Sequence, residues 1–173
     1  AMSSTSGLSV STRMGEVETI EFNQDGGLGI SVYVGNNKGS ASTADLNPKT
    51  LRTVVEKAID IAKFTSDDPF NGIADKELLE FAPKDLDLYH PWDVSPEQGI
   101  ELCHAAEQAA LNADERIVNS DGASFSSHQG LRVYGNSHGL IAGFPRTRHS
   151  ISTMVIGKEG EHMQRDSAYT VAR

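Results

Sequence analysis

The chain has six histidines, the residues best suited to bind a metal or transfer a proton, but their spacing matches no known site. No two of them are closer than 10 positions: His90, His104, His128, His138, His149 and His162. The motifs His-Glu-x-x-His, His-x-x-x-His and Cys-x-x-Cys are all missing. His104 and Glu107 would share one face of a helix, yet a solvated or packing pair is the commoner role for such neighbours.

Candidate nucleophiles also lack the partners that would activate them. Two serines directly precede histidines, at Ser127-His128 and Ser137-His138. Adjacent side chains on a strand point to opposite faces, so neither pair is suited to proton transfer. No Gly-x-Ser-x-Gly motif is present. Cys103 falls in an alanine-rich stretch, where a buried and inert thiol is the ordinary outcome. We therefore predict no catalytic residue and no metal ligand.

One basic cluster stands out in this acidic chain. Arg146, Arg148 and His149 follow directly after Gly143-Phe144-Pro145. On a strand, Arg146 and Arg148 point the same way and could bind a carboxylate together. We expect the cluster either to contact a peptide carboxylate or acidic partner surface, or to pair internally with one of the 24 acidic residues.

The composition is that of an ordinary globular protein. Hydrophobic residues make up 38% and charged residues 23% of the 173 positions. The net charge of −9 would repel a phosphate backbone, so we expect no nucleic-acid partner. No apolar run approaches the roughly 18 residues that span a bilayer, so we expect no membrane contact. The single cysteine suits a reducing compartment, and we expect a cytoplasmic location.

Two helices are predicted from their capping signals. Asn47 can cap the first helix, and Pro48 suits its first position because a missing N–H costs nothing there. Ser95-Pro96-Glu97-Gln98 forms a capping box that begins the second. A short helix is predicted over 75–80. The apolar positions of the two long helices are Leu51, Val54, Val55, Ala58, Ile61 and Ala62, and Leu102, Cys103, Ala106, Ala109, Ala110 and Ala113.

Strand patterns with glycine-rich turns flank the helices. Asp25-Gly26-Gly27 is a strong hairpin signal, and Gly15 separates two earlier strands. In the second half we predict turns at 136–139 and 158–161. The predicted fold is therefore α+β, with two glycine-punctuated antiparallel or mixed β-meanders, each with a packed helix.

We predict a first subdomain over 1–66, a connector over 67–93 and a second subdomain over 94–173. Both ends of the chain lie inside strand patterns. We therefore expect a truncated fragment of a larger protein rather than a compact domain with short termini.

Several stretches resemble the PmbA-type branch of the TldD/PmbA family. They are Ser11-Thr12-Arg13, Gly15-Glu16-Val17-Glu18, Glu21-Phe22-Asn23, Lys38-Gly39-Ser40-Ala41-Ser42-Thr43, Ala74-Asp75-Lys76-Glu77-Leu78-Leu79, Gly135-Asn136-Ser137-His138-Gly139 and Thr147-Arg148-His149-Ser150. The resemblance covers essentially the whole chain. It implies a place in the N-terminal α/β region of longer proteins whose C-terminal half is rich in strands.

The resemblance also implies a function, in a cytoplasmic metalloprotease that cleaves unfolded peptides. The family's roles include maturation of a microcin precursor and degradation of an antitoxin, and an older family name is modulator of DNA gyrase. A TldD-type partner would carry zinc on a His-Glu-x-x-x-His motif outside the region covered here, and we expect no cofactor in this chain. A PmbA-type chain would supply partner contacts and part of the cleft wall.

Two kinds of partner are compatible with the resemblance. One is a TldD-like paralogue in a heterodimer, and the other is a second copy of the chain in a homodimer. The alternative function is a non-catalytic binding or assembly module whose work is not proteolysis.

Overall fold

A computed structural model describes all 173 residues, which form one six-stranded sheet and two α-helices. The elements are β1 Met2–Arg13, β2 Glu16–Val34, β3 Asn37–Thr43, α1 Pro48–Phe64, a 3-10 turn Lys76–Leu78, α2 Pro96–Leu111, β4 Ile117–Gly135, β5 Ile141–Glu159 and β6 His162–Ala172. The strand order is β3-β2-β1-β4-β5-β6, which is two three-strand meanders joined at their first strands. The predicted α+β class is confirmed.

Contacts divide the chain into two compact units. The first unit comprises 1–4, 25–86 and 131–145, and the second comprises 5–24, 87–130 and 146–173. Each unit is assembled from separate stretches because the long strands β1, β2, β4 and β5 each contribute to both. The division of the chain at 66 and 93 stays a prediction.

In the first unit, α1 packs on the short edge strand β3. Asn47 caps the helix as predicted, its side chain accepting a hydrogen bond from the Lys49 amide. Gly39 of β3 lies so close to α1 that an added Cβ would overlap the carbonyl oxygen of Ala58. A glycine is therefore required for this close approach of helix and strand.

The hairpin predicted at Asp25-Gly26-Gly27 is wrong, because β2 runs through these residues without a break. Neither glycine has a positive φ, so neither makes a turn. A Cβ on Gly26 would lie 3.3 Å from the carbonyl oxygen of Ser3, and one on Gly27 would lie 3.1 Å from that of Thr43. These glycines therefore allow close approach of backbones rather than chain reversal.

In the second unit, α2 covers a small core formed by Leu8, Val10, Cys103, Ala123 and Phe125. The predicted capping box is confirmed, with Ser95 and Gln98 each bonding to the other's backbone amide.

Details of the two later predicted helical segments need correction. Ala109 is exposed, and Ala113 lies beyond the end of α2, so neither belongs to its buried face. Over 75–80 only the single turn Lys76–Leu78 is helical.

The last two strands form a regular antiparallel pair. Their register runs from His149↔Ala172 to Glu159↔His162, and Gly160 makes the turn with φ +60°. Every residue of β6 is exposed, and β6 ends the sheet, so one edge of its backbone has no neighbouring strand. As for the helices, none has both the length and the apolar character needed to cross a membrane.

Candidate functional site

The second unit contains an open groove of about 650 Å³. Parts of β1, β2, β4 and β5 line it, together with the segment 91–94 that precedes α2. The aromatic rings in its wall are those of Phe22 and Trp92. Its titratable groups are those of Asp93, His128 and His149, and no lysine or arginine lines it. The groove is therefore aromatic and polar, with one carboxylate as its only fixed charge.

Trp92 is held at the groove by two aromatic contacts. Its ring centroid lies 5.5 Å from that of Phe125, with the planes at 81°, and 5.6 Å from that of His149, with the planes at 72°. Both are edge-type contacts, the geometry that aromatic quadrupoles favour. Phe125 belongs to the buried core, whereas Trp92 remains 46% exposed. The indole is thus anchored to the core and still offers surface to a ligand.

His149 is fixed by hydrogen bonds at both ring nitrogens. Nε2 lies 3.0 Å from the carbonyl oxygen of His90, and Nδ1 lies 2.9 Å from Oγ of Ser127. A carbonyl oxygen can only accept, so Nε2 carries a proton, and Nδ1 of the Nε2–H tautomer is the acceptor for the serine hydroxyl. These bonds set the tautomer of His149 and the orientation of its ring.

Strand β5, which carries His149, also holds the segment 88–90 in place. The Thr147 amide donates to the Leu88 carbonyl at 2.8 Å, and the His90 amide donates to Oγ1 of Thr147 at 2.9 Å. Together with the His149 bond, these contacts attach the chain just before Trp92 firmly to β5. The position of the indole is therefore set by backbone as well as by ring contacts.

Ser127 and His149 form the serine–histidine geometry that nucleophilic enzymes use, with a carbonyl as the orienting third group. Both residues are almost fully buried, however, at 7% and 9% exposure. Their bonds orient His149 against Trp92, so we assign them a positioning role.

The other wall of the groove is shaped by a glycine. A Cβ on Gly7 would overlap the Ser127 carbonyl oxygen and the His128 ring. His128 Nε2 in turn lies 3.3 Å from Nδ2 of Asn23. Gly7 therefore lets β1 pass close to β4, where a larger residue would displace His128.

In the predicted cluster, Arg146 and Arg148 share one face of β5 as expected, whereas His149 lies on the other face. Arg146 and Arg148 are exposed, whereas the alternate positions Thr147 and His149 are buried, as strand geometry requires. Neither guanidinium takes part in an ion pair within the chain. A contact of the two arginines with peptide or partner stays a prediction.

Sequence reasoning did not identify Trp92 or Phe22 as site residues. One available signal was that Trp92 is the only tryptophan of the chain, next to a proline. Ser127 and His149 were each recognised, but their pairing depends on the alignment of β4 with β5, which no local pattern specifies.

No group of three or more histidine, cysteine, aspartate or glutamate side chains is placed to hold a metal ion. Glu107, considered above beside His104, has a different role. Its carboxylate oxygens accept the amides of Met14 and Gly15, at 2.9 and 3.3 Å. Burial alone would raise the pKa of Glu107, but the Ser120 hydroxyl and these two amides lower it.

Comparison with known proteins gives matches along nearly the whole chain. Residues 1–62 match the model of the PmbA/TldA metallopeptidase domain 1. Residues 89–172 match that of the PmbA/TldA metallopeptidase central domain.

Two curated relatives are aligned over the full chain. Metalloprotease PmbA of Escherichia coli O157:H7 is 58% identical over all 173 residues. The Metalloprotease PmbA homolog of Haemophilus influenzae is 51% identical over the same length. The chain spans 38% of the length of each.

Solved structures show the same fold. A candidate modulator of DNA gyrase from Bacteroides thetaiotaomicron is 30% identical, with a TM-score of 0.83 over 98% of this chain and 39% of its own. TldE from Thermococcus kodakarensis superimposes with a TM-score of 0.74 over 99% of this chain and 39% of its own. At 16% identity this second likeness concerns the fold alone.

Proposed function

Since the chain belongs to the PmbA/TldD metallopeptidase family, we propose that it is a non-catalytic, peptide-handling part of a two-subunit metalloprotease. A TldD-like paralogue would be the partner and would supply the zinc. The substrate would be an unfolded peptide, and the complex would work in the cytoplasm. Maturation of a microcin precursor and degradation of an antitoxin are the substrate roles that we include in this proposal.

The metal that the family implies does not fit the residues of this chain. Its histidines lie apart, and no three ligands converge. The polar side chains that do converge, those of Ser127 and His149, are used up in bonds to each other and to the His90 carbonyl, which position the groove. No catalytic step is therefore assigned to these residues.

The observation that carries the proposal is the exposed edge strand β6. Within these 173 residues its eleven residues pair with β5 on one side only, because β6 is the outermost strand of this sheet. An extended peptide can add to such an edge through backbone hydrogen bonds, which do not depend on its sequence. Strand addition therefore suits a protease subunit that accepts unfolded chains of varied sequence.

The large apolar side chains of β6 lie on one face and would contact the side chains of the added strand on that face. Met163, Tyr169 and Val171 are exposed apolar residues at alternating positions, so they share this face. Neighbouring side chains of paired strands contribute roughly 0.2–1 kcal/mol each. Tyr169, the most exposed of the three, is the residue to test.

The experiment mixes the protein, extended to the length of its relatives, with a purified TldD-type subunit and an unfolded peptide. We expect the two to co-purify and zinc-dependent cleavage to exceed that of the TldD-type subunit alone. Tyr169→Ser should slow cleavage, whereas Thr170→Ala, which removes no large apolar side chain, should not. A homodimer that neither binds the TldD-type subunit nor raises cleavage would reject the proposal in favour of an assembly module.

A further inference from the structure

We propose that the groove beside Trp92 binds a basic side chain, lysine or arginine, of an extended peptide. This inference rests on the proposed function, because it takes the ligand to be peptide. To that function it adds the type of side chain that is bound and the place on this chain where it binds.

The first argument is the charge of the groove. Asp93 contributes a carboxylate, and no lysine or arginine lines the wall. Asp93 is exposed and is not in an ion pair with any cation of the chain. The whole chain carries a net charge of −9, which attracts cations and repels acidic peptides. The groove is therefore complementary to a positive charge.

The second argument is the aromatic surface next to that carboxylate. Trp92 directly precedes Asp93 in the chain, and Phe22 lies on the wall with 72% of its surface exposed. An ammonium or guanidinium group over an indole face is attracted by the ring quadrupole, and tryptophan is the best of the aromatic partners. The apolar stem of lysine or arginine can lie along the same rings while the charge stays in water.

The third argument is that this surface is already ordered. Trp92 contacts Phe125 and His149, and the residues before it are hydrogen-bonded to β5. A ligand would not have to pay the entropy of fixing the indole, which is a main cost of binding to flexible side chains. Phe125 fills the core beneath the indole, so Trp92 forms an ordered part of the groove wall.

The single tryptophan provides the assay, because all indole fluorescence of the chain comes from Trp92. The probes are three capped pentapeptides that differ only at a central lysine, norleucine or glutamate, with alanines around it. We expect the lysine peptide to change Trp92 emission to saturation and to bind more weakly as NaCl is raised. The norleucine peptide, which has the stem without the charge, should bind about fivefold more weakly, and the glutamate peptide more weakly still.

Asp93→Asn is the variant that tests the charge, since it leaves the packing of Trp92 untouched. It should weaken binding of the lysine peptide by about three- to fivefold and leave binding of the norleucine peptide unchanged. Glu161→Gln, an exposed carboxylate in the β5–β6 turn outside the groove, is the matched control and should change neither.

Equal binding of the lysine and norleucine peptides, or an Asp93→Asn variant that binds lysine as wild type does, would overturn the inference. The proposed function would survive that result if the extended protein still raised zinc-dependent cleavage. Conversely, saturable binding of the lysine peptide without an increase in zinc-dependent cleavage would support the groove as a binding site and reject the protease role.

Discussion

Replacing Glu107 by glutamine should destabilise the chain although the residue does not line the groove beside Trp92. The carboxylate is 2% exposed and accepts the amides of Met14 and Gly15, which form the β1–β2 turn. Both turn residues have positive φ, at 50° and 82°. Glycine adopts this conformation freely, but for Met14 it is unfavourable, so Glu107 stabilises a turn that Met14 disfavours.

The magnitude follows from the bonds lost. A hydrogen bond to a charged group contributes about 1.5–3 kcal/mol. Glutamine keeps one accepting oxygen but presents an NH₂ group to the second amide, so Glu107→Gln should cost about 2 kcal/mol. In a chain of this size that corresponds to a fall of roughly 4–8 °C in melting temperature. Glu101→Gln, an exposed position of the same helix, is the control and should melt as wild type does.

The pH dependence gives a second readout with a definite sign. The folded pKa of Glu107 is lowered from its ordinary value of 4.5. The contribution of the Glu107 carboxylate to folding stability is therefore fully present above the ordinary pKa. It is lost as the pH falls through the lower pKa of the folded state. The gap between wild type and Glu107→Gln, followed by circular dichroism, should be largest near neutral pH and should shrink in acid. Equal melting at pH 7, or a gap that acid leaves unchanged, would refute the reasoning.

Three further predictions follow from packing and capping. Burial raises the pKa of the Cys103 thiol to about 11, so it should react with a thiol reagent at pH 8 only after denaturation. Gly39→Ala should lower the free energy of unfolding, measured in urea, by about 3 kcal/mol because its Cβ would meet the Ala58 backbone. Gly29→Ala, which has open space around it, should leave this free energy unchanged. Ser95→Ala should lower stability by about 1 kcal/mol through loss of the helix cap, which thermal melts would detect.

Local signals in the sequence were sufficient to place the starts of the two long helices. Asn47 and Ser95 mark the observed starts of α1 and α2, because a capping bond needs only residues within one turn. The pattern Asp25-Gly26-Gly27 failed for the opposite reason. Its glycines meet the backbones of Ser3 and Thr43, which are distant in sequence. A glycine required for packing and a glycine required for a turn look alike until the neighbouring strands are known.

The candidate site depended even more on distant contacts. The sequence placed Arg146, Arg148 and His149 in one cluster, but the alternation of β5 separates the exposed arginines from the buried histidine. That separation was predictable from strand geometry. The groove could not be predicted in this way, because Trp92 contacts His149 only when segment 88–90 lies along β5.

Glu107 and His149 together explain why a search for catalytic spacing finds nothing here. Glu107 bonds to an amide 93 positions away, and His149 bonds to a carbonyl 59 positions away. Each uses a polar side chain to satisfy the backbone of a distant segment, as buried polar groups require. Such residues set shape rather than perform chemistry. If His149 has this role, its replacement should alter the emission and peptide binding of Trp92, while Glu107→Gln should lower stability and leave the affinity of the folded groove unchanged.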